Sequence, residues 1–126
     1  MLALAVLAAL QGAAPAPQIV QDARAVSGSI ASTDYPRPQR SRGIGGTTEA
    51  RLLVSERGRV TACTITESSR SAALDGAVCR IVQRRFRFQP ARDATRRPVS
   101  QWLVTRWTWQ PPGSIRLGNP SFVPER

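Results

Sequence analysis

Histidine and lysine are both absent from this chain. Without histidine there is no Ser-His or Cys-His pair to activate a nucleophile. The acidic residues number 8 and lie scattered, so no carboxylate pair is placed for acid-base work. Asp75 and Asp93 have ordinary uses as a helix-start residue and a turn residue. Gly43-Ile44-Gly45-Gly46 lacks the spacing and the following lysine of a phosphate-binding loop. Cysteine occurs only as Cys63 and Cys79, so a four-ligand zinc site has no donors and a Cys-x-x-Cys redox motif is missing. Long apolar runs are lacking too: Met1 to Leu10 falls well short of the ~20 residues a membrane span needs. The chain is therefore expected to be no enzyme and to need no cofactor or metal.

What is present is arginine. All 18 basic residues are arginine, against 8 acidic ones, for a net charge of +10. Arginine binds phosphate and carboxylate in bidentate fashion, although the total lack of lysine reads more simply as codon bias. The charge favours anionic surfaces or acidic partners and says nothing of fold. The 126 residues allow one domain, whose core would be thin. The start, MLALAVLAALQGAAPAP, fits a signal-peptide core followed by small residues, with Ala14 to Ala16 as the cleavage region. No positive residue precedes it, and Pro15 and Pro17 crowd that region, so the rival reading is a truncated membrane anchor. Export would put Cys63 and Cys79 in an oxidising compartment, where they are expected to pair and to add about 3 kcal/mol. The alternative is two buried free thiols in a cytosolic protein.

Residues 18–33 show no sustained period and read as a linker. From Tyr35 the pattern becomes regular. Pro36 suits the first turn of a short helix that Gly43 would end. Residues 47–55 alternate, with Ala50, Leu52 and Val54 on one face and Glu49, Arg51 and Leu53 on the other, as in a half-buried strand. Gly58 is placed for a hairpin turn, and residues 60–68 return as a second strand. Ser71 would cap a helix carrying Leu74, Ala77, Val78, Ile81 and Val82 as one apolar stripe, with Cys79 beside it within reach of Cys63. Gln101 to Gln110 is β-branched and aromatic, a third strand. The Pro- and Gly-rich residues 111–126 are expected to form a tail outside the sheet. The fold class expected is α+β: a three-stranded antiparallel sheet with two helices packed on one face, in the order α-β-β-α-β.

Two binding readings compete. Arginines interleaved with Phe86 and Phe88, and the tryptophans 102, 107 and 109, would suit a module for nucleic acid or another anionic surface. However, Arg80, Arg84 and Arg87 lie off the apolar stripe, as solvated residues do, and an exported protein meets little nucleic acid. The other reading rests on the sheet edges, which offer unpaired N–H and C=O groups to an extended peptide. Packing beneath the helices or the tail accounts equally well for Trp107 and Trp109.

Residues 35 to about 110 carry a further pattern. Tyr35-Pro36 opens a short basic helix, Arg42-Gly43-Ile44-Gly45-Gly46 precedes the first strand, and Gly58 and Val60 mark the hairpin. Ser68 closes the second strand, and Arg87-Phe88-Gln89-Pro90 follows the second helix. In this order and spacing the chain resembles the C-terminal domain family of TonB, the energy transducer that serves outer-membrane receptors. The resemblance implies residues 34–110 as the domain and the periplasm as its location, or an inner-membrane tether if the N-terminus is a truncated anchor. It implies a TonB-dependent outer-membrane receptor as partner, whose N-terminal box would add as a strand along Gln101, Trp102, Leu103, Val104, Thr105, Arg106, Trp107, Thr108 and Trp109. Asp34 and Tyr35 stand where that family also meets its partner, although Ser32-Thr33-Asp34 replaces the usual Gln-Pro element. Pairing of two copies through their edges is left open. The ~17 residues between Pro17 and Tyr35 reach less than about 60 Å, so a free-standing domain that binds without transmitting force is expected.

Overall fold

The computed structural model describes residues 18–112, 114–117 and 122–125, so the expected leader or anchor at 1–17 lies outside them. In chain order come β1 (Ile19–Gln21), β2 (Arg24–Ser27), a 3-10 turn (Ser32–Asp34) and α1 (Arg37–Ser41). Next are β3 (Gly46–Val54), β4 (Val60–Glu67), α2 (Ala72–Arg85), β5 (Arg87–Gln89) and β6 (Ala91–Asp93). The chain closes with β7 (Pro98–Val99), β8 (Gln101–Gln110), β9 (Ser114–Leu117) and β10 (Val123–Pro124).

The alternation at 46–54 builds β3: Thr48, Ala50, Leu52 and Val54 are buried while their neighbours are half-exposed. Gly58 adopts φ +79° at the hairpin, and there it lies against the backbone of Phe88, whose N–H donates to the Gly58 carbonyl at 2.9 Å. A side chain on Gly58 would overlap the Phe88 carbonyl oxygen. α2 begins where the Ser71 hydroxyl accepts the Leu74 N–H at 3.3 Å, and it lays Leu74, Ala77, Val78, Ile81 and Val82 onto the sheet. Cys79 on α2 is bonded to Cys63 on β4, with Cα atoms 5.7 Å apart. β8 alternates in the same sense as β3 and pairs with it antiparallel from Gly46↔Trp109 to Val54↔Gln101. The core between sheet and helix is made by Leu52, Val54, Leu74, Val78, Val82, Leu103, Trp107, Trp109 and Tyr35, none more than 2% exposed.

The expectation of a three-stranded sheet with two helices is overturned. The described residues hold ten strands in three sheets, one of them five-stranded, and only two helices. The large sheet runs β10-β8-β3-β4, with β9 also on β8. β1 pairs with β6, which pairs with β7, and β2 pairs with β5. The excess comes from segments with too little apolar patterning to read as strands. Residues expected as a linker dock through backbone ladders, aided by the Ala23 N–H donating to Gln101 Oε1 at 2.7 Å and by Gln101 Nε2 donating to Asp22 Oδ1 at 2.9 Å. The loop expected after Phe88 folds into a β6–β7 hairpin, in which Asp93 accepts from the N–H groups of Thr95 and Arg97. Residues 114–117 and 123–124 of the expected tail join the sheet after all; Pro111 and Pro112 sit in a turn and Pro124 on the outermost strand, where a missing N–H costs nothing.

Candidate partner-binding edge

A strand in a pleated sheet sends alternate side chains to opposite faces, and β8 divides the expected contact residues in this way. Gln101, Leu103, Thr105, Trp107 and Trp109 are buried beneath the helices. Trp102, Val104 and Thr108 are half-buried on the open face, and Arg106 is exposed there. The two inner tryptophans are core residues. Trp109 meets Tyr35 edge-on with centroids 5.3 Å apart, and its Nε1 donates to Thr48 Oγ1 at 3.2 Å. Trp107 Nε1 donates to Thr105 Oγ1 at 2.9 Å.

Tyr35 is 2% exposed and donates its hydroxyl to the Ile44 carbonyl, so it fixes the entry to α1 and β3 rather than facing outward. Asp34 accepts two hydrogen bonds at 2.6 Å from the Arg85 guanidinium. That hydrogen bonding holds its carboxyl below the ordinary 3.8, against the opposing effect of burial. Just before this pair, Ile30, Ala31 and Ser32 face Arg40, Pro112, Ser114 and Ile115 across a groove of about 460 Å³. Arg40 Nε donates to the Pro112 carbonyl at 2.9 Å on one of its walls. The groove thus lies between the segment ahead of Tyr35 and the turn from β8 into the start of β9.

The outer edge of β8 is not bare. β9 pairs with it from Trp107↔Leu117 to Gln110↔Ser114. β10 pairs at Val123↔Val104 and Pro124↔Leu103, and the Glu125 N–H donates to the Trp102 carbonyl at 2.9 Å. Side chains on both faces hold the second piece. Phe122 packs edge-on against Phe86 and Phe88, with centroids 5.2 and 5.1 Å away. Glu125 forms two hydrogen bonds with Arg51, at 2.8 and 2.9 Å. Arg51 in turn lies 3.8 Å over the Trp102 ring. Hydrogen bonding from Arg51 keeps the Glu125 carboxyl below its usual range. Arg51, Phe122 and Glu125 were not evident as site residues; what the tail offered was the adjacent apolar pair Phe122-Val123 in a Pro- and Gly-rich stretch that also carries Ile115 and Leu117.

The family described as Gram-negative bacterial TonB protein C-terminal matches residues 31–111. The chain belongs to the TonB C-terminal family. Membership ties it to energy-coupled transport at the outer membrane, through a domain type that works by protein interaction. The match stops at residue 111, so β9 and β10, which cover the edge of β8, lie beyond the family's own stretch, as do β1 and β2. A comparison with curated proteins gives no match. Among the described residues no helix is long and apolar enough to cross a membrane, and no group of three or more Cys, Asp or Glu is placed to hold a metal.

Proposed function

We propose that this TonB-family domain works in the periplasm, capturing an extended segment of an outer-membrane transporter by strand addition along the outer edge of β8. One observation carries the reading: that edge already takes antiparallel strands, at Leu103–Val104 and at Trp107–Gln110, so its geometry accepts an added segment. The opposite margin of the sheet is less suited. β4 shows register shifts near both ends of its ladder with β3, and such bulges discourage regular addition.

The test is an NMR titration of the labelled full chain with peptides from transporter N-termini, with a scrambled peptide and a short oligonucleotide as controls. Shifts concentrated on Gln101–Gln110 and on the tail strands, with the transporter peptide alone, are the expected result. Shifts spread over arginines and erased by modest salt, with any anion, would make the +10 charge the functional feature instead. Shifts confined to Thr61–Glu67 would move the site to β4.

A further inference from the structure

The residues Phe122 to Glu125 occupy the edge of β8 as a bound peptide would. The strand alternation sends Phe122 and Pro124 to the helix side and Val123 and Glu125 to the open side. Phe122 fills a notch walled by Phe86 and Phe88. Pro124 lies opposite Leu103, and Val123 opposite Val104, where it remains 37% exposed. Three positions after the aromatic residue, Glu125 reaches across the sheet to the Arg51 guanidinium stacked on Trp102. Apart from its backbone ladder, the segment is held by two side-chain anchors, one aromatic and one anionic, on opposite faces of the strand. Strand pairing alone has no sequence preference; these two anchors do.

Resting on the strand-capture reading, we infer that the β8 edge selects an extended segment carrying an aromatic residue followed three positions later by a carboxylate, and that Phe122–Glu125 is its in-cis occupant. A transporter segment of that chemistry competes with the tail for the same notch and the same arginine. The partner is an outer-membrane protein with an acidic, aromatic-bearing N-terminal stretch, in keeping with the positive charge of this chain. The tail itself lies beyond the stretch matched by the family, whereas the residues it docks on, Arg51, Phe86, Phe88 and Trp102, lie within it.

The experiment uses the full chain and a synthetic peptide with the sequence of its residues 119–126, beside the same peptide with alanine at the Phe and Glu positions. The F122A/E125A chain, whose own tail is loosened, should bind the first peptide at least about tenfold more tightly than the second, with shifts at Trp102 to Thr105. The unaltered chain should bind it more weakly than that variant does. As a second arm that does not depend on the tail aromatics, R51E should lose preference for the native peptide and gain it for one with arginine in the Glu position. Equal affinity for the native and alanine peptides, or no change of preference in R51E, overturns the inference. A transporter peptide that shifts β8 in those same samples leaves strand capture standing while the inference falls. If no peptide shifts β8 even in the loosened variant, both fall.

Discussion

The Thr48 hydroxyl donates to Asp75 Oδ1 at 2.8 Å, tying the middle of the sheet to the first turn of α2. Ser69 adds its N–H at 3.0 Å and its hydroxyl at 2.7 Å, and Ser68 donates to the other oxygen. Burial alone would push this carboxyl up. The hydrogen bonds outweigh it and hold the group below the ordinary 3.8. Asp75→Asn should cost about 2–3 kcal/mol, because an amide donor then faces hydroxyl and N–H donors. For a domain of this size that lowers the melting midpoint by about 10 °C or more. The pH dependence has a definite sign. With the folded pKa depressed, the contribution is complete above the unfolded value and is lost as pH falls through the lower folded value. Thermal melts from neutral to acid pH should therefore converge for the parent and the variant. A gap that persists unchanged in strong acid would refute the charge-based account.

Reduction of Cys63–Cys79 opens a loop with a sequence separation of 16. The midpoint should fall by an amount corresponding to about 3 kcal/mol, and the native protein should show no reactive thiol before reduction. An unchanged midpoint in the presence of reductant would show that packing of α2 on β4 suffices without the bond.

Two glycines with positive φ should respond differently to alanine. Gly43, at φ +66°, has nothing within 4 Å of an added Cβ, so Gly43→Ala carries only the backbone penalty of about 1 kcal/mol. Gly58, at φ +79°, meets the Phe88 carbonyl as well. Gly58→Ala should cost about 2 kcal/mol or more and disturb the amide signal of Phe88. Equal losses at the two positions would show that the hairpin tip is free to move off β5.

The tail contact should weaken in acid. The Glu125 carboxylate sits below its ordinary 4.5 because Arg51 donates to it, so the contact is complete above that value and is lost as pH falls through the lower one. Trp102, beneath the Arg51 guanidinium, should report the change by NMR, whereas the buried Trp107 should not. Arg51→Ala should abolish the step at Trp102. A step that survives this substitution would point to another titrating group.

Where a segment buries one face, its sequence announces it. The alternation in β3 and β8, the apolar stripe of α2, the Ser71 cap and the Gly58 turn all follow from residues that must be hidden or must bend. β1 and β2 carry no such signal, since Val20 and Val26 remain 63% and 58% exposed and the backbone ladders do the holding. The tail misled for a related reason. Proline and glycine argue against a central strand, but they are compatible with a rim strand, and the anchors that place it there, Phe86 with Phe88 and Arg51, are distant in sequence. Tyr35 was legible as important through its Tyr-Pro pair. That it serves the core, with its ring against Trp109, depends on a contact 74 positions away.

Pro124 sits on the outermost strand of the large sheet and has no N–H to offer a further chain. β9, on the same side, is only four residues long. Together they keep the ten-residue edge of β8 from meeting its like on another copy, the route by which sheet proteins assemble into insoluble arrays. The segment proposed to contend with a partner for this edge would thus also guard it against pairing with a second copy. A chain truncated after residue 110 would bare the β8 edge and is expected to self-associate through it.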